Sequence, residues 1–141
     1  KWSPSPFYLW KWRDNSVCRR DPLYLKKTYP DLIKSSNHML EWYTKKSKFD
    51  NARQAVASIV LDCYYTFCHP SWKTIETQEY RDKAEKCFAE YFKKWEYLWN
   101  ECPDQVKMQI SSGIRQREVV QGMEMETETL EQFLERMKNL E

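Results

Sequence analysis

The sequence predicts an all-α protein: an irregular extended N-terminal arm followed by about five helices, the third of them long, in an elongated helical bundle. Apolar residues recur at helical spacing through most of the chain after residue 30. Two Gly and six Pro are few for a chain rich in turns. Charged residues make up 31% and hydrophobic residues 41%, a balance that suits amphipathic helices.

Residues 1–30 are predicted to form the extended arm, because four of the six Pro lie there and Pro interrupts helices. In an extended chain the alternation of Trp10 and Trp12 with Lys11 and Arg13 puts the rings on one side and the charges on the other. So short an arm cannot bury its rings against itself, so we expect it to bind another surface. The predicted partner-binding residues of the arm are Phe7, Tyr8, Trp10, Trp12, Lys11 and Arg13.

Residues 31–122 are predicted to form a helical domain. Its first helix spans about 31–46, with Pro30 placed near the first turn. The second helix spans about 50–69 and must end before Pro70. Its centre is apolar on nearly all sides, which indicates the element at the middle of the bundle.

The third and longest helix is predicted over about 75–103, on the basis of an apolar seam with alternating spacings of four and three residues. The seam residues are Ala84, Phe88, Tyr91, Trp95, Leu98 and Cys102. We interpret Tyr97 and Trp99 as lying off this seam, and therefore as a second, partner-binding surface. After this helix a shorter one is expected, weakened at Gly113.

Residues 123–141 are predicted to form an acidic, amphipathic C-terminal helix. Thr129 and Gln132 have the spacing of a capping box, which favours a helix over about 128–141. This helix has few neighbours to cover its apolar face, so a partner is expected. The tail holds six acidic and two basic residues, whereas residues 1–48 hold eleven basic and four acidic ones. The gradient favours contacts with unlike partners, or between the two ends.

Five Cys is an odd number, which fits poorly with a fully paired secreted framework. If the second and third helices form an antiparallel hairpin, Cys63 and Cys87 are equidistant from its turn. A Cys63–Cys87 disulfide is therefore one possibility, and buried thiols are the alternative. Cys68 and His69 are also metal-capable, but their spacing is not that of common zinc sites, so neither a metal nor a cofactor is expected.

No enzyme is expected, because the sequence has no glycine-rich phosphate loop, and His38 and His69 stand in no recognisable nucleophile context. No stretch reaches the 18 apolar residues typical of a membrane span. The chain begins at Lys1, and a removed targeting peptide is one ordinary cause.

These observations favour a non-catalytic accessory subunit of a large assembly. The leading hypothesis for that assembly is a mitochondrial inner-membrane complex, either a respiratory-chain complex or the ATP synthase. Its partners would be other protein subunits, with lipid headgroups at the membrane surface as further contacts and RNA as a weaker alternative. An RNA-contacting mitochondrial ribosomal protein and a secreted helical binding protein are the competing classes. Salt-dependent RNA affinity would identify the first, and disulfide bonds the second.

Overall fold

A computed structural model describes residues 22–69, 72–75, 77–120 and 128–140. Over these ranges the chain forms six helices and no strand, which confirms the predicted all-α bundle. The helices are α1 (Pro22–Lys45), α2 (Phe49–Phe67), α3 (Trp72–Ile75), α4 (Gln78–Glu101), α5 (Asp104–Val120) and α6 (Leu130–Lys138).

The first helix is longer than predicted. α1 begins at Pro22, so residues 22–30 are helical and not part of an extended arm. Pro30 therefore lies inside the helix, where its missing N–H and its ring cost about 3 kcal/mol. Tertiary packing offsets that cost, since the neighbouring Tyr29 is buried and its ring centroid lies 5.7 Å from that of Phe67. This contact joins residues far apart in the chain, and the local sequence pattern does not reveal it.

The second helix lies at the centre of the bundle, as its composition predicted. α2 packs against α1, α4 and α5, and every residue from Ala55 to Leu61 is buried. The predicted bounds, 50–69, agree with the observed ones within two residues. The tie from α2 to α5 includes a hydrogen bond between the hydroxyls of Tyr65 and Ser111.

The long helix α4 also follows its predicted pattern. All six predicted seam residues are buried, and α4 packs on α1, α2 and α6. Its first turn is capped by Thr77, whose hydroxyl accepts a hydrogen bond from the Tyr80 N–H at 3.2 Å. The single turn α3, which precedes α4, was not predicted.

The C-terminal helix α6 is docked on the bundle. The predicted capping box is present: the Thr129 hydroxyl accepts from the Gln132 N–H, and the Gln132 side chain accepts from the Thr129 N–H. Phe133 and Met137 are fully buried. The protein's own helices thus cover the apolar face for which an external partner was expected.

The described helices include none that is both long enough and apolar enough to cross a bilayer. α5 runs through Gly113 without interruption, although glycine weakens a helix interior by about 1 kcal/mol relative to alanine. A Cβ atom added at Gly113 would meet nothing within 4 Å, so packing does not require a glycine there.

Candidate partner-binding surface

The predicted partner-binding residues fall into two groups. The arm residues Phe7, Tyr8, Trp10, Lys11, Trp12 and Arg13 lie outside the described residues, so their role stays a prediction. The other two, Tyr97 and Trp99, lie on α4, and the structure places them in opposite environments.

Tyr97 is exposed on the outer side of α4, with 47% of its surface accessible. Its ring centroid lies 6.3 Å from that of the buried Trp95, so the exposed ring rests on the core of the bundle. The adjacent Lys94 bridges to α1, where its Nζ lies 2.7 Å from Glu41 Oε2. Tyr97 therefore exposes an aromatic ring to solvent while it packs on a buried ring of the same helix.

The positive charge beside Tyr97 is held in place from two sides. The hydrogen bond from Lys94 is the largest cause that lowers the pKa of Glu41, so this carboxylate stays charged at neutral pH. The Nζ of Lys94 also lies 5.1 Å from the centroid of the Trp95 ring, within the range of a cation–π contact. Because Lys94 precedes Tyr97 by three residues on the same helix, the exposed phenol has an ion pair beside it.

The prediction for Trp99 is wrong, because this side chain is only 6% exposed. Lys107, on α5, places its Nζ 4.0 Å from the centroid of the Trp99 ring and covers it. A signal for burial was present in the sequence: Trp99 follows Trp95 by four residues, which puts the two rings on the same side of a helix.

Sequence reasoning missed two exposed apolar side chains, Met108 on α5 and Phe49 at the start of α2. They are 66% and 39% exposed, and with Tyr97 they are the exposed large hydrophobic residues of the described chain. Met108 lies off the face of α5 on which Ile114 is buried, and this spacing was readable. Nothing in the sequence around Phe49 distinguishes it from a core residue of α2.

The possible disulfide between Cys63 and Cys87 is not formed. Cys63 is buried, whereas Cys87 is only half-buried. The predicted pairing required a symmetric hairpin in which a simple turn joins α2 to α4. The short helix α3 lies between them instead. Burial raises the pKa of the Cys87 thiol, which keeps it protonated.

A polar cluster, the Arg136 clamp, ties α6 to the rest of the bundle. It consists of Cys68, Trp72, Glu85, Glu128 and Arg136. Arg136 donates through Nη1 to Glu85 Oε1 at 2.9 Å and through Nη2 to Glu128 Oε1 at 2.7 Å. The Trp72 indole donates to Glu85 Oε2 at 3.2 Å, so this carboxylate is held on both oxygens.

The thiol in the clamp is poorly suited to nucleophilic chemistry. Cys68 donates to Glu128 Oε1 at 3.2 Å, and burial together with this carboxylate raises its pKa far above the usual value. A reactive cysteine needs a lowered pKa. The described side chains include no group of three or more His, Cys, Asp or Glu residues placed to hold a metal ion. The arrangement can hold a helix in place.

The described residues form a helical bundle. Its surface carries the exposed aromatic ring of Tyr97 and charged side chains such as Lys94. No protein-family model, no curated protein and no solved structure matches the chain. The surface chemistry and the core therefore provide the grounds for a functional proposal.

Proposed function

We propose that this protein is a non-catalytic accessory subunit of a large multi-subunit assembly, which it joins through aromatic surfaces. The observation that carries the proposal is Tyr97, 47% exposed on α4 and backed by the buried ring of Trp95. Tyrosine is enriched at protein interfaces, and the residues that dominate binding energy are often aromatic anchors of this kind. The seam of α4 and the anchors of α6 are already buried within the bundle, whereas Tyr97 is exposed and available to a neighbour.

The cysteines support a binding role over a catalytic one. Burial is the largest cause that raises the pKa of Cys68, Cys87 and Cys102. A thiol with a raised pKa is a weak nucleophile at neutral pH, since the thiolate is the reactive form. In Cys68 the neighbouring Glu128 strengthens this effect, and the carboxylate is already engaged by Arg136.

For the setting of the assembly we propose the mitochondrial inner membrane, with a respiratory-chain complex or the ATP synthase as the complex. The basic character of residues 1–48, eleven Lys or Arg against four acidic residues, supports contact with acidic neighbours and anionic headgroups. The same basic region supports the second candidate, an RNA-contacting mitochondrial ribosomal protein.

Native separation of the tagged full-length chain tests the proposal. Mitochondria are solubilised in mild detergent, resolved on a native gel and analysed by mass spectrometry. The chain should migrate with a complex far larger than its own 17.3 kDa, and Tyr97→Ala should reduce the associated fraction. Lys83→Ala is the matched control, because Lys83 is exposed on the same helix but lies near its other end. Migration of the wild-type chain at its own mass would overturn the subunit role, and release by ribonuclease would favour the ribosomal candidate.

A further inference from the structure

The turn that connects α1 to α2 is basic and exposed. All residues from Lys45 to Asn51 are exposed. The sequence of the turn, KKSKF, supplies Lys45, Lys46 and Lys48 together with Phe49, whose side chain is 39% exposed. We name residues 45–49 the basic turn. It combines positive charge with an apolar side chain in one exposed turn.

Backbone hydrogen bonds fix the shape of the basic turn. The Lys48 N–H donates to the Tyr43 carbonyl at 2.8 Å, and the Ser47 N–H donates to the Thr44 carbonyl at 3.1 Å. These two bonds form the Schellman motif that ends many helices. Ser47 takes the left-handed position, with φ 56°, which glycine usually occupies. The lysines therefore project from a defined backbone.

Two acidic side chains close to the basic turn are already engaged by Arg53, which lies 3.0 Å from Asp50 and 3.2 Å from Glu101. Within the described part of the chain, none of the three lysines forms an ion pair. Lys48 instead lies 5.1 Å from the ring centroid of the half-buried Trp42. An anionic partner can thus meet three lysines at once.

We propose that the basic turn docks on an anionic phospholipid surface, with its lysines against the headgroups and Phe49 inserted among them. An exposed turn between two helices can present its cations to a charged plane, whereas single-stranded RNA is bound along a groove lined by stacking side chains. Lysine beside an apolar side chain such as that of Phe49 is also a combination found in segments that lie at a membrane interface. The inference rests on the proposed membrane location and deepens it by naming the segment that contacts lipid.

The test uses the purified full-length chain and vesicles of phosphatidylcholine, with and without phosphatidylserine, in a co-sedimentation assay. The chain should bind only the anionic vesicles, and binding should weaken as salt is added. The triple variant Lys45→Gln, Lys46→Gln, Lys48→Gln should weaken binding about 100-fold, since each lysine near such a surface contributes about fivefold. Phe49→Ser should weaken it about tenfold through the lost apolar contact.

The matched control is a second triple variant, Lys34→Gln, Lys83→Gln, Lys86→Gln, which removes the same net charge from exposed positions away from the turn. It should change vesicle binding by less than about threefold, the effect of net charge alone. Far-ultraviolet circular dichroism verifies that both triple variants remain folded.

Three outcomes would overturn the lipid-docking proposal. The first is that the wild-type chain does not bind anionic vesicles. The second is that both triple variants lose vesicle binding equally. The third is that the turn variant still binds vesicles, whereas a chain without residues 1–14 does not. Binding to single-stranded RNA that depends on the turn lysines, without vesicle binding, would assign the turn to nucleic acid instead. None of these outcomes alters the native-gel result, so the subunit proposal succeeds or fails separately.

Discussion

Helices α4 and α6 are both amphipathic, but the bundle holds them by different means. α4 has 24 residues and buries a continuous seam between α1, α2 and α6. α6 has nine residues, buries only Phe133 and Met137 completely, and adds the Arg136 clamp. Isolated helices shorter than about 12–15 residues are marginal in water. The short helix, with two apolar anchors, is positioned by polar ties, whereas the long helix is positioned by its seam.

The ties on α6 reach two other helices, α2 and α4. The Tyr64 hydroxyl, on α2, donates to the Glu128 carbonyl at 2.7 Å just before α6 begins. Lys138 pairs with Glu96 of α4 at 2.8 Å. Because these contacts join distant parts of the chain, each can be removed singly while the seam of α4 stays intact.

The largest loss of stability is expected from the seam of α4. Trp95→Ala should lower the free energy of unfolding by about 3–5 kcal/mol, because it removes a large buried ring and leaves a cavity. It also leaves Asn37 Oδ1 without the indole N–H that donates to it at 2.8 Å. Urea unfolding, followed by circular dichroism, measures the loss. A value below about 1 kcal/mol would place Trp95 at a partner surface instead of in the core.

Tyr97→Ala provides the matched control for Trp95→Ala, two residues along the same helix. Since Tyr97 is half exposed, its truncation should cost less than about 1 kcal/mol in the isolated chain. Similar losses in both variants would mean that α4 is not divided into a buried and an exposed side as described.

The next largest effect is expected at the apolar anchor of α6. Phe133→Ala should cost about 3 kcal/mol, because the ring contacts Phe88 at 5.5 Å and Tyr64 at 5.6 Å between centroids. Amide hydrogen exchange should speed up most over residues 130–138, while α4 remains protected. Loss of protection throughout α4 to the same extent would show that the two helices form one cooperative unit.

A smaller effect is expected from the Arg136 clamp. Arg136→Gln should cost about 1.5 kcal/mol, since it leaves the half-buried carboxylates of Glu85 and Glu128 without their cation, a loss that partial solvent exposure reduces. Lys138→Gln breaks a more exposed pair and should cost less than Arg136→Gln does. Thermal unfolding of the two variants side by side checks the order. Equal losses would remove the special role of the clamp.

The contribution of the clamp should also depend on pH. Burial on its own would raise the pKa of Glu128, but the hydrogen bonds from Arg136 and Cys68 outweigh it and lower the pKa below 4.5. When a carboxyl group has a lower pKa in the folded than in the unfolded state, it stabilises the fold at any pH above its unfolded-state pKa. This stabilisation is lost as the pH falls through the folded-state pKa. The difference in unfolding free energy between wild type and Arg136→Gln should therefore shrink below about pH 4.5. A difference that grew on acidification would contradict the assignment.

The smallest effect on the fold is expected from the arm. Deletion of residues 1–14 should leave the helical content of residues 31–141 almost unchanged, because the described core is formed by α1 to α6. The same deletion should abolish incorporation into the assembly. Circular dichroism and native gels measure the two effects in parallel. Unfolding of the truncated chain would show that the arm belongs to the protein's own core.

The sequence predicted the structural features that depend on interactions between residues close together in the chain. The seam of α4, the capping box at Thr129 and the breaks near Pro70 and Pro103 follow from helical periodicity, capping and proline sterics. Each of these involves residues within a few turns of one another. Their positions in the structure agree with the sequence to within a few residues.

What the sequence did not predict depends on contacts between distant residues. The helical conformation around Pro30 relies on packing with Phe67, and the clamp joins Cys68 to Glu128 across 60 positions. The contact between the Trp99 ring and Lys107 likewise joins two different helices. A single sequence shows that such residues are apolar or charged, but it does not show which pairs meet.

The long separation in sequence between Phe133 and the rings on which it packs has a consequence for biosynthesis. The Phe133 ring fills a site between Tyr64 and Phe88, and both of those residues leave the ribosome well before it. At roughly 5–20 residues per second, the stretch from Phe88 to Phe133 takes several seconds to translate. During that interval Tyr64 and Phe88 lack the Phe133 ring that packs on them in the folded protein. Chaperone engagement of nascent chains should therefore be strongest just before the last helix is made, and it should persist on chains truncated ahead of residue 128.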